Sequence, residues 1–149
     1  MSVLLNVAYS KGLGEYTCLF DSLSMIRAYF GQATFLNPKF DFFQGVKMDQ
    51  IDDVLEAYTP QNKTLCGKLN KFAIDPPKEK YNLAGLEQLL QQCGPLIGVT
   101  PPKVNWGHCC VIIGASPWGV TYHDPALGPS KNILFHKFSQ KFPGLFWFA

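Results

Sequence analysis

The feature that most constrains the fold is a change of hydrophobic pattern at Gly94 and Pro95. Before this point apolar residues recur at helical spacing, and after it they form short β-rich runs separated by Pro, Gly and Ser. Strands are predicted at residues 96–100, 108–114, 120–123, 133–136 and 145–148. Because helices come first and closely spaced strands follow, the sequence predicts an α+β fold, with N-terminal helices packed on a C-terminal antiparallel sheet.

Helices are predicted in the first part of the chain from apolar stripes and capping residues. The first follows Thr17 as N-cap and runs from Cys18 to Gly31. The second covers residues 48–58, and the third begins after Asn82 and ends at residue 94. No repeat or linker divides the chain, so we expect one domain over residues 1–149.

Composition excludes several classes of protein. With 47% hydrophobic and 16% charged residues, the chain is expected to fold into a compact core. The formal charge is only +2 and no run of Lys and Arg occurs, which argues against nucleic acid as a partner. No apolar stretch approaches the roughly 18 residues of a membrane span, so no membrane partner is expected.

The chain has five cysteines and no recognisable export signal. An odd number without an export signal favours free thiols in a reducing compartment. No CxxC pair occurs, which argues against a zinc ribbon or a thioredoxin-like motif. At least one thiol therefore needs another explanation, either reactivity or burial.

Cys18 is a candidate nucleophile because it opens a helix. The free N–H groups and the macrodipole at a helix N-terminus stabilise a thiolate and lower its pKa from about 8.5. Burial as a structural cysteine is the alternative, and it is the commoner fate of a cysteine. Asp21, in the same helical turn, is expected to stabilise the helix N-terminus, although it would oppose a thiolate if it pointed at the sulfur.

His108 and Asp124 are expected to meet across a hairpin. The runs on either side of residue 117 would pair antiparallel, bringing Asp124 to within a step or two of His108. A carboxylate there accepts the imidazole N–H, fixes its tautomer and stabilises its charged form. Together with Cys18 these residues would supply a nucleophile, a base and a group that orients the base.

Several segments together resemble the papain-like cysteine peptidases. They are the Cys that opens the first helix, the strand Gly-Pro-Leu-Ile-Gly-Val, the run Gly-His-Cys-Cys-Val-Ile-Ile-Gly and the run Val-Thr-Tyr-His-Asp-Pro-Ala-Leu-Gly. Within that class the chain is most similar to the peptidase domains that cleave bacteriocin leaders after Gly-Gly, whose late motif also reads His, a β run and Asp-Pro-Ala-x-Gly. The similarity extends from Cys18 to Gly128 with a divergent middle.

The resemblance implies a papain-like fold and a role for each of three residues. Cys18 would be the nucleophile, His108 the general base and acid, and Asp124 the residue that orients the imidazole. Peptide hydrolysis would pass through a thioester, with no metal or organic cofactor. In the family a Gln about six residues before the Cys completes the oxyanion hole, but Gly12 stands at that position. The second donor could then come from Asn6, Lys11 or another backbone amide.

The remaining histidines and cysteines fit other roles. His123 adjoins Asp124, so strand alternation sends the two side chains to opposite faces and makes His123 the weaker candidate for the base. His136, on the predicted late strand, is expected to be structural, and Cys66 and Cys93 are expected to be ordinary thiols. Four side chains are candidate metal ligands by residue type: Cys109, Cys110, His108 and His123. Adjacent cysteines on a strand face opposite sides, so no metal site is predicted.

The resemblance also suggests a substrate and a biological role. Leader peptidases accept Gly-Gly because bulky side chains narrow the subsites that bind these two residues. Trp106 could be such a side chain and line the cleft, or it could instead cap the hydrophobic core, and the two roles are equally expected. No transporter region accompanies the domain, which makes the chain similar to papain-like toxin domains delivered into competitors or hosts. We therefore expect a secreted effector without a classical signal peptide, acting in the cytoplasm of a target cell, or otherwise a cytoplasmic protein. A cognate immunity protein is an expected partner beside the protein substrate.

Other functions remain open at the level of sequence. The same residues could deamidate or transglutaminate a protein Gln, since only the acceptor of the acyl group differs. A catalytically inactive leader-binding module is a second alternative, against which the retained Cys18 argues. The third is an inhibitor-like or structural domain, in which replacing Cys18 would change nothing.

Overall fold

The computed structural model of the protein describes residues 2–14, 16–68, 82–101 and 108–149. These residues form four α-helices and a seven-stranded sheet. The helices are α1 (Cys18–Tyr29), α2 (Ile51–Ala57, after a 3-10 turn at Met48–Gln50), α3 (Leu83–Cys93) and α4 (Phe135–Lys141). The strands are β1 (Val3–Leu4), β2 (Leu65–Lys68), β3 (Leu96–Val99), β4 (Cys109–Ser116), β5 (Gly119–Asp124), β6 (Gly128–Ile133) and β7 (Gly144–Phe148). None of the described helices is long and apolar enough to cross a membrane.

Every described strand pair in the sheet is antiparallel. The strand order is β2-β7-β3-β4-β5-β6, and β1 also pairs with β4. The eight-residue strand β4 therefore pairs with three other strands. Since His108 immediately precedes β4, its backbone is anchored to the most extensively paired part of the sheet.

The sheet is covered by helices on both faces, and strand alternation decides which residue meets which helix. Along β4, Cys109, Val111 and Ile113 point into the core cluster that includes α1 and α2. Cys110 and Ile112 point into the second cluster, which includes α3 and α4. The sequence of β4 is an almost continuous apolar run because the strand is buried on both faces of the sheet.

The predicted α+β fold is confirmed. Of the two residues predicted as helix N-caps, Asn82 makes a side-chain capping hydrogen bond and Thr17 does not. Asn82 caps α3 as predicted, because its side chain accepts a hydrogen bond of 2.6 Å from the Gly85 N–H. Gly94, at φ 85°, ends that helix in a backbone conformation that favours glycine. Thr17 occupies the N-cap position of α1, but its side chain makes no capping hydrogen bond.

One predicted strand is wrong. Residues 133–136 do not continue as a strand: β6 ends at Ile133, and α4 begins at Phe135. The apolar run there is too short to distinguish helical spacing from strand alternation. Phe138 in α4 and Phe142 directly after it are both buried. His136 therefore lies on the exposed side of a helix rather than on a strand.

Candidate active site

Cys18 is the first residue of α1 and packs, half-buried, against the core between α1 and the sheet. The hydroxyl of Thr17 is turned away from the helix amides, accepting from the Gly14 N–H at 2.9 Å and donating to the Asp21 carboxylate at 2.7 Å. The first-turn N–H groups are thus left without a side-chain cap from Thr17. Their partial positive charge lies beside the Cys18 sulfur and favours its thiolate form.

The β4–β5 hairpin brings His108 to Asp124. Val111 pairs with His123 across the hairpin, and the next residue, Asp124, reaches back so that its Oδ1 lies 2.8 Å from His108 Nε2. The Asp124 side chain is 1% exposed, whereas that of His108 is 34% exposed. The carboxylate is therefore enclosed, and the imidazole remains open to an incoming ligand.

The carboxylate of Asp124 is stabilised in its charged form. Burial by itself raises its pKa, but hydrogen bonds from His108 and from the N–H groups of Ala126 and Leu127, with the charge of His108, bring the pKa below its usual range. The two backbone hydrogen bonds measure 2.9 and 3.2 Å to Oδ1. A fixed negative charge thus faces His108 Nε2.

Cys18 and His108 shift each other's pKa in opposite directions. A hydrogen bond with the Cys109 thiol, reinforced by the hydrogen bond and charge of His108, lowers the pKa of Cys18 to about 5 despite the opposing effect of burial. Hydrogen bonds with the sulfurs of Cys110 and Cys18, and with Asp124, raise the pKa of His108 to about 11 although burial opposes this. Between these values the pair holds a thiolate and an imidazolium, which is the reactive state of a cysteine nucleophile.

Asp21 has a structural role that the sequence analysis did not identify. Its side chain is 2% exposed, and it accepts hydrogen bonds from the Thr17 hydroxyl and from the Leu13 N–H, the latter at 3.3 Å to Oδ2. Burial raises the pKa of this carboxyl group. Asp21 therefore holds the loop that leads into Cys18.

The same loop shows why Gly12 can stand where the family has Gln. The Gly12 N–H donates to the Pro125 carbonyl at 2.9 Å, which joins the loop to the turn after Asp124. A Cβ at position 12 would lie 3.1 Å from both Asp21 Oδ2 and Pro125 O, so a larger side chain would crowd this junction. The amides of residues 12–14 are all engaged in hydrogen bonds. They do not supply the second oxyanion donor, and the exposed Asn6 and Lys11 remain predictions for that role.

His123 lies on the opposite face of β5 from Asp124 and has a structural environment. Its Nδ1 accepts a 3.0 Å hydrogen bond from the Ser130 N–H, so its Nε2 donates to the Val7 carbonyl at 2.7 Å. The side chain is buried, and Tyr9 packs against its edge. Both ring nitrogens are occupied, and His123 ties the N-terminal segment to the sheet.

The two adjacent cysteines face opposite sides of β4, as strand alternation requires. Cys109 and His123 point away from Cys110, so the four side chains considered for a metal do not converge. Potential ligand atoms of a different set, His108, Cys110 and Asp124, lie within 4.8 Å of one another. In that set, His108 Nε2 and Asp124 Oδ1 are already joined by a hydrogen bond.

Trp106, the predicted wall of the substrate cleft, lies outside the described residues, so its role stays a prediction. The contact between Cys109 and Cys18 was missed, because it depends on α1 packing against β4 across a long sequence separation. Strand alternation over residues 109–113 places Cys109 on one face of the sheet, but not beside a particular helix.

A cysteine at the start of a helix, facing a histidine held by a buried aspartate in an α+β fold, defines a papain-like cysteine protease. Residues 3–143 match the sequence profile of the family described as papain-like cysteine protease AvrRpt2. Because the match covers nearly the whole chain, the protein belongs to this family and is a hydrolase that acts on protein substrates. No curated protein sequence matches the chain closely enough to count as a relative.

Solved structures show the same fold at low sequence identity. One is a double glycine motif protease from an AMS/PCAT transporter in complex with its leader peptide, 17% identical, with a TM-score of 0.58, covering 98% of this chain and 93% of that one. A putative C39-like peptidase from Bacillus anthracis is 15% identical, with a TM-score of 0.61 and coverage of 100% and 98%. The peptidase domain of Streptococcus ComA, a bifunctional ABC transporter, is 12% identical, with a TM-score of 0.61 and coverage of 99% and 97%.

Proposed function

We propose that Cys18, His108 and Asp124 are the catalytic triad of a cysteine endopeptidase. The observation that carries this proposal is the position of His108, whose Nε2 lies 2.8 Å from the buried Asp124 carboxylate and whose charge helps to lower the pKa of Cys18. The buried Asp124 fixes the imidazole tautomer and orientation. The imidazole itself is 34% exposed and so is accessible to a substrate.

The reaction follows from the charges of these groups. The Cys18 thiolate attacks the scissile carbonyl, and the backbone N–H of Cys18 donates to the developing oxyanion. The His108 imidazolium then protonates the leaving amine as the thioester forms. Neutral His108 next removes a proton from water, which attacks the thioester and releases the acid product. Asp124 stays ionised throughout and stabilises the imidazolium.

We further propose cleavage after Gly-Gly. Support comes from the Asp-Pro-Ala-Leu-Gly segment that the chain shares with leader peptidases, and from the similar fold of a double glycine motif protease solved with its leader peptide. Narrow subsites exclude side chains by steric clash, which displaces the carbonyl from Cys18 and lowers kcat/KM. Trp106 is the residue proposed to narrow them.

Substrate specificity is tested with matched extended peptides that carry Gly-Gly, Gly-Ala or Gly-Val before one potential cleavage site. Cleavage of Gly-Gly alone by the unmodified protein, and acceptance of Ala by Trp106→Ala, are the expected results. Efficient cleavage after large or charged residues contradicts the Gly-Gly proposal and leaves the peptidase assignment intact. Incubation with a bacterial lysate, followed by mass spectrometry, separates the chemistries: new termini indicate proteolysis, and conversion of Gln to Glu indicates deamidation.

The proposed biological role is that of a secreted effector toxin that acts in the cytoplasm of a target cell and is blocked by a cognate immunity protein. This part rests on the resemblance to free-standing papain-like toxin domains. It is tested by expressing the protein and its Cys18→Ala variant in a bacterial cytoplasm. Growth arrest by the unmodified protein alone is expected, whereas equal growth of both cultures contradicts a toxic activity in bacteria.

A further inference from the structure

The sulfur of Cys18 has a neighbour that peptide hydrolysis does not use. Cys109 opens β4, and its side chain points into the same core cluster against which Cys18 packs. Helix α1 packs directly on β4, so the two thiols approach the same cluster from facing elements. Cys109 lies near enough to Cys18 to lower the pKa of its thiol.

The two thiols differ in access to solvent. Cys109 is 2% exposed, whereas Cys18 is only half-buried and lies beside His108, which is open to solvent. Peroxides attack accessible thiolates first. Cys18 is thus the expected first target, with Cys109 waiting behind it.

We propose that Cys18 and Cys109 form a reversible disulfide when the protein meets hydrogen peroxide, with Cys109 as the resolving thiol. This goes beyond the proposed peptidase function, because it concerns the oxidised state of the nucleophile. The consequence is an enzyme that switches off under oxidation and recovers when a dithiol reduces the bond.

The chemistry balances in two steps. The Cys18 sulfur attacks one peroxide oxygen, the O–O bond breaks, and hydroxide leaves as water after protonation, which produces a sulfenic acid. The Cys109 sulfur then attacks the Cys18 sulfur, an S–S bond forms and the S–O bond breaks. The Cys109 proton goes to the leaving hydroxide, so that one peroxide is reduced to two waters while two thiols are oxidised to one disulfide.

Oxidation of Cys18 itself prepares Cys109 for the second step. In the reduced protein the hydrogen bond and negative charge of Cys18, together with burial, raise the pKa of Cys109 well above its ordinary value. A sulfenic acid carries no such charge. Losing that charge removes one cause of the raised pKa, so Cys109 becomes easier to deprotonate once Cys18 is oxidised.

The other cysteines are placed less well to resolve a sulfenic acid on Cys18. Cys110 points into the opposite core cluster and contacts His108 rather than the α1 face of the sheet. Cys66 lies on β2, and Cys93 is the last residue of α3. These positions make Cys66 the suitable control, since it is a partly exposed thiol outside the site.

The experiment is peptide mapping of peroxide-treated protein without reduction. Trypsin places Cys18 on the peptide 12–27 and both Cys109 and Cys110 on the peptide 104–131. The expected product is a cross-link between these two peptides with the loss of two hydrogen atoms. It should persist in Cys110→Ala and Cys66→Ser and disappear in Cys109→Ser and Cys109→Ala.

Reversibility gives a second readout that does not require peptidase activity. After dithiothreitol, Cys18 of the unmodified protein should regain its alkylation by iodoacetamide, whereas in Cys109→Ser it should recover at least about tenfold less, because the sulfenic acid proceeds to irreversible acids. Irreversibly oxidised Cys18 without a cross-link in the unmodified protein overturns the proposal. A cross-link that persists in the Cys109 variants and disappears in Cys110→Ala overturns it equally.

Discussion

The hairpin that carries His108 and Asp124 and the loop that leads into Cys18 are held in place by different interactions. On the hairpin side, a backbone ladder between β4 and β5 sets the register, and the His108–Asp124 contact follows from it. On the nucleophile side, the loop depends on side-chain groups, above all the buried carboxylate of Asp21. One backbone hydrogen bond, from Gly12 to Pro125, joins the two sides.

This difference has a mechanical consequence. A ladder of several backbone hydrogen bonds tolerates the loss of any one side chain, whereas a loop that depends largely on a single buried carboxylate is more sensitive to losing it. Substitutions of His108 or Asp124 should therefore change the chemistry while leaving the local backbone in place. Substitutions at Asp21 should change the position of the loop as well.

The largest effect is expected where the two sides meet. Cys18→Ala and His108→Ala should each lower kcat for peptide cleavage by about six orders of magnitude, the scale seen when a triad nucleophile or base is removed. Cys66→Ser is the matched control and should retain activity. Full activity in Cys18→Ala, with Cys109→Ser or Cys110→Ser inactive instead, contradicts the assignment of the nucleophile.

Asp124→Ala should have a smaller effect, a loss of about 10⁴-fold in kcat, because the carboxylate only orients and polarises the imidazole. The variant should remain folded, although the N–H groups of Ala126 and Leu127 lose their shared acceptor. Steady-state kinetics and circular dichroism measure both effects. A loss as large as that in Cys18→Ala would mean that Asp124 does more than position His108.

Asp21→Ala tests the loop. It removes the acceptor of the Leu13 N–H and leaves the Thr17 hydroxyl with only the Gly14 carbonyl, at 3.2 Å. The free energy of unfolding should therefore fall by about 1–3 kcal/mol. Displacement of the loop next to Cys18 should reduce kcat/KM by up to about 10²-fold. Urea unfolding and kinetics are the measurements, and unchanged values in both would show that the carboxylate does not hold the loop.

His123→Ala should have the smallest effect on catalysis. The Val7 carbonyl and the Ser130 N–H lose their partner, so the free energy of unfolding should fall by about 1–3 kcal/mol, while kcat per folded molecule stays unchanged. The contrast with His108→Ala is the informative result, since the two histidines occupy the same hairpin region. Inactivity of folded His123→Ala would reopen the choice of base.

The hairpin side was largely predictable from sequence, and the loop side was not. Strand alternation and a short turn suffice to bring Asp124 to His108, because both are local regularities of the backbone. The role of Asp21 depends on amides and hydroxyls several residues away, in a loop with no periodic pattern. Its acidic character at a helix start was compatible with a simple dipole effect.

Elements whose stability depends on distant partners were also missed. β2 was not predicted because its four residues pair with β7 near the other end of the chain, and β1 has only two residues, which pair with β4. The strand predicted over residues 133–136 failed since tertiary burial of Phe138 and Phe142 decided in favour of a helix. Short segments of this kind take their structure from what they pack against.

The central claim is that Cys18 is an activated nucleophile paired with His108, and the pH dependence of its alkylation tests it most directly. Because the pKa of Cys18 is lowered to about 5, its thiolate should persist as the pH falls and be lost only near that value. Iodoacetamide labelling, resolved by peptide mass spectrometry, should show a midpoint near pH 5 for Cys18, ahead of the other cysteines at neutral pH. In His108→Ala this midpoint should move towards the ordinary thiol value of about 8.5. A midpoint near that ordinary value in the unmodified protein, or labelling of Cys18 no faster than Cys66, contradicts the account.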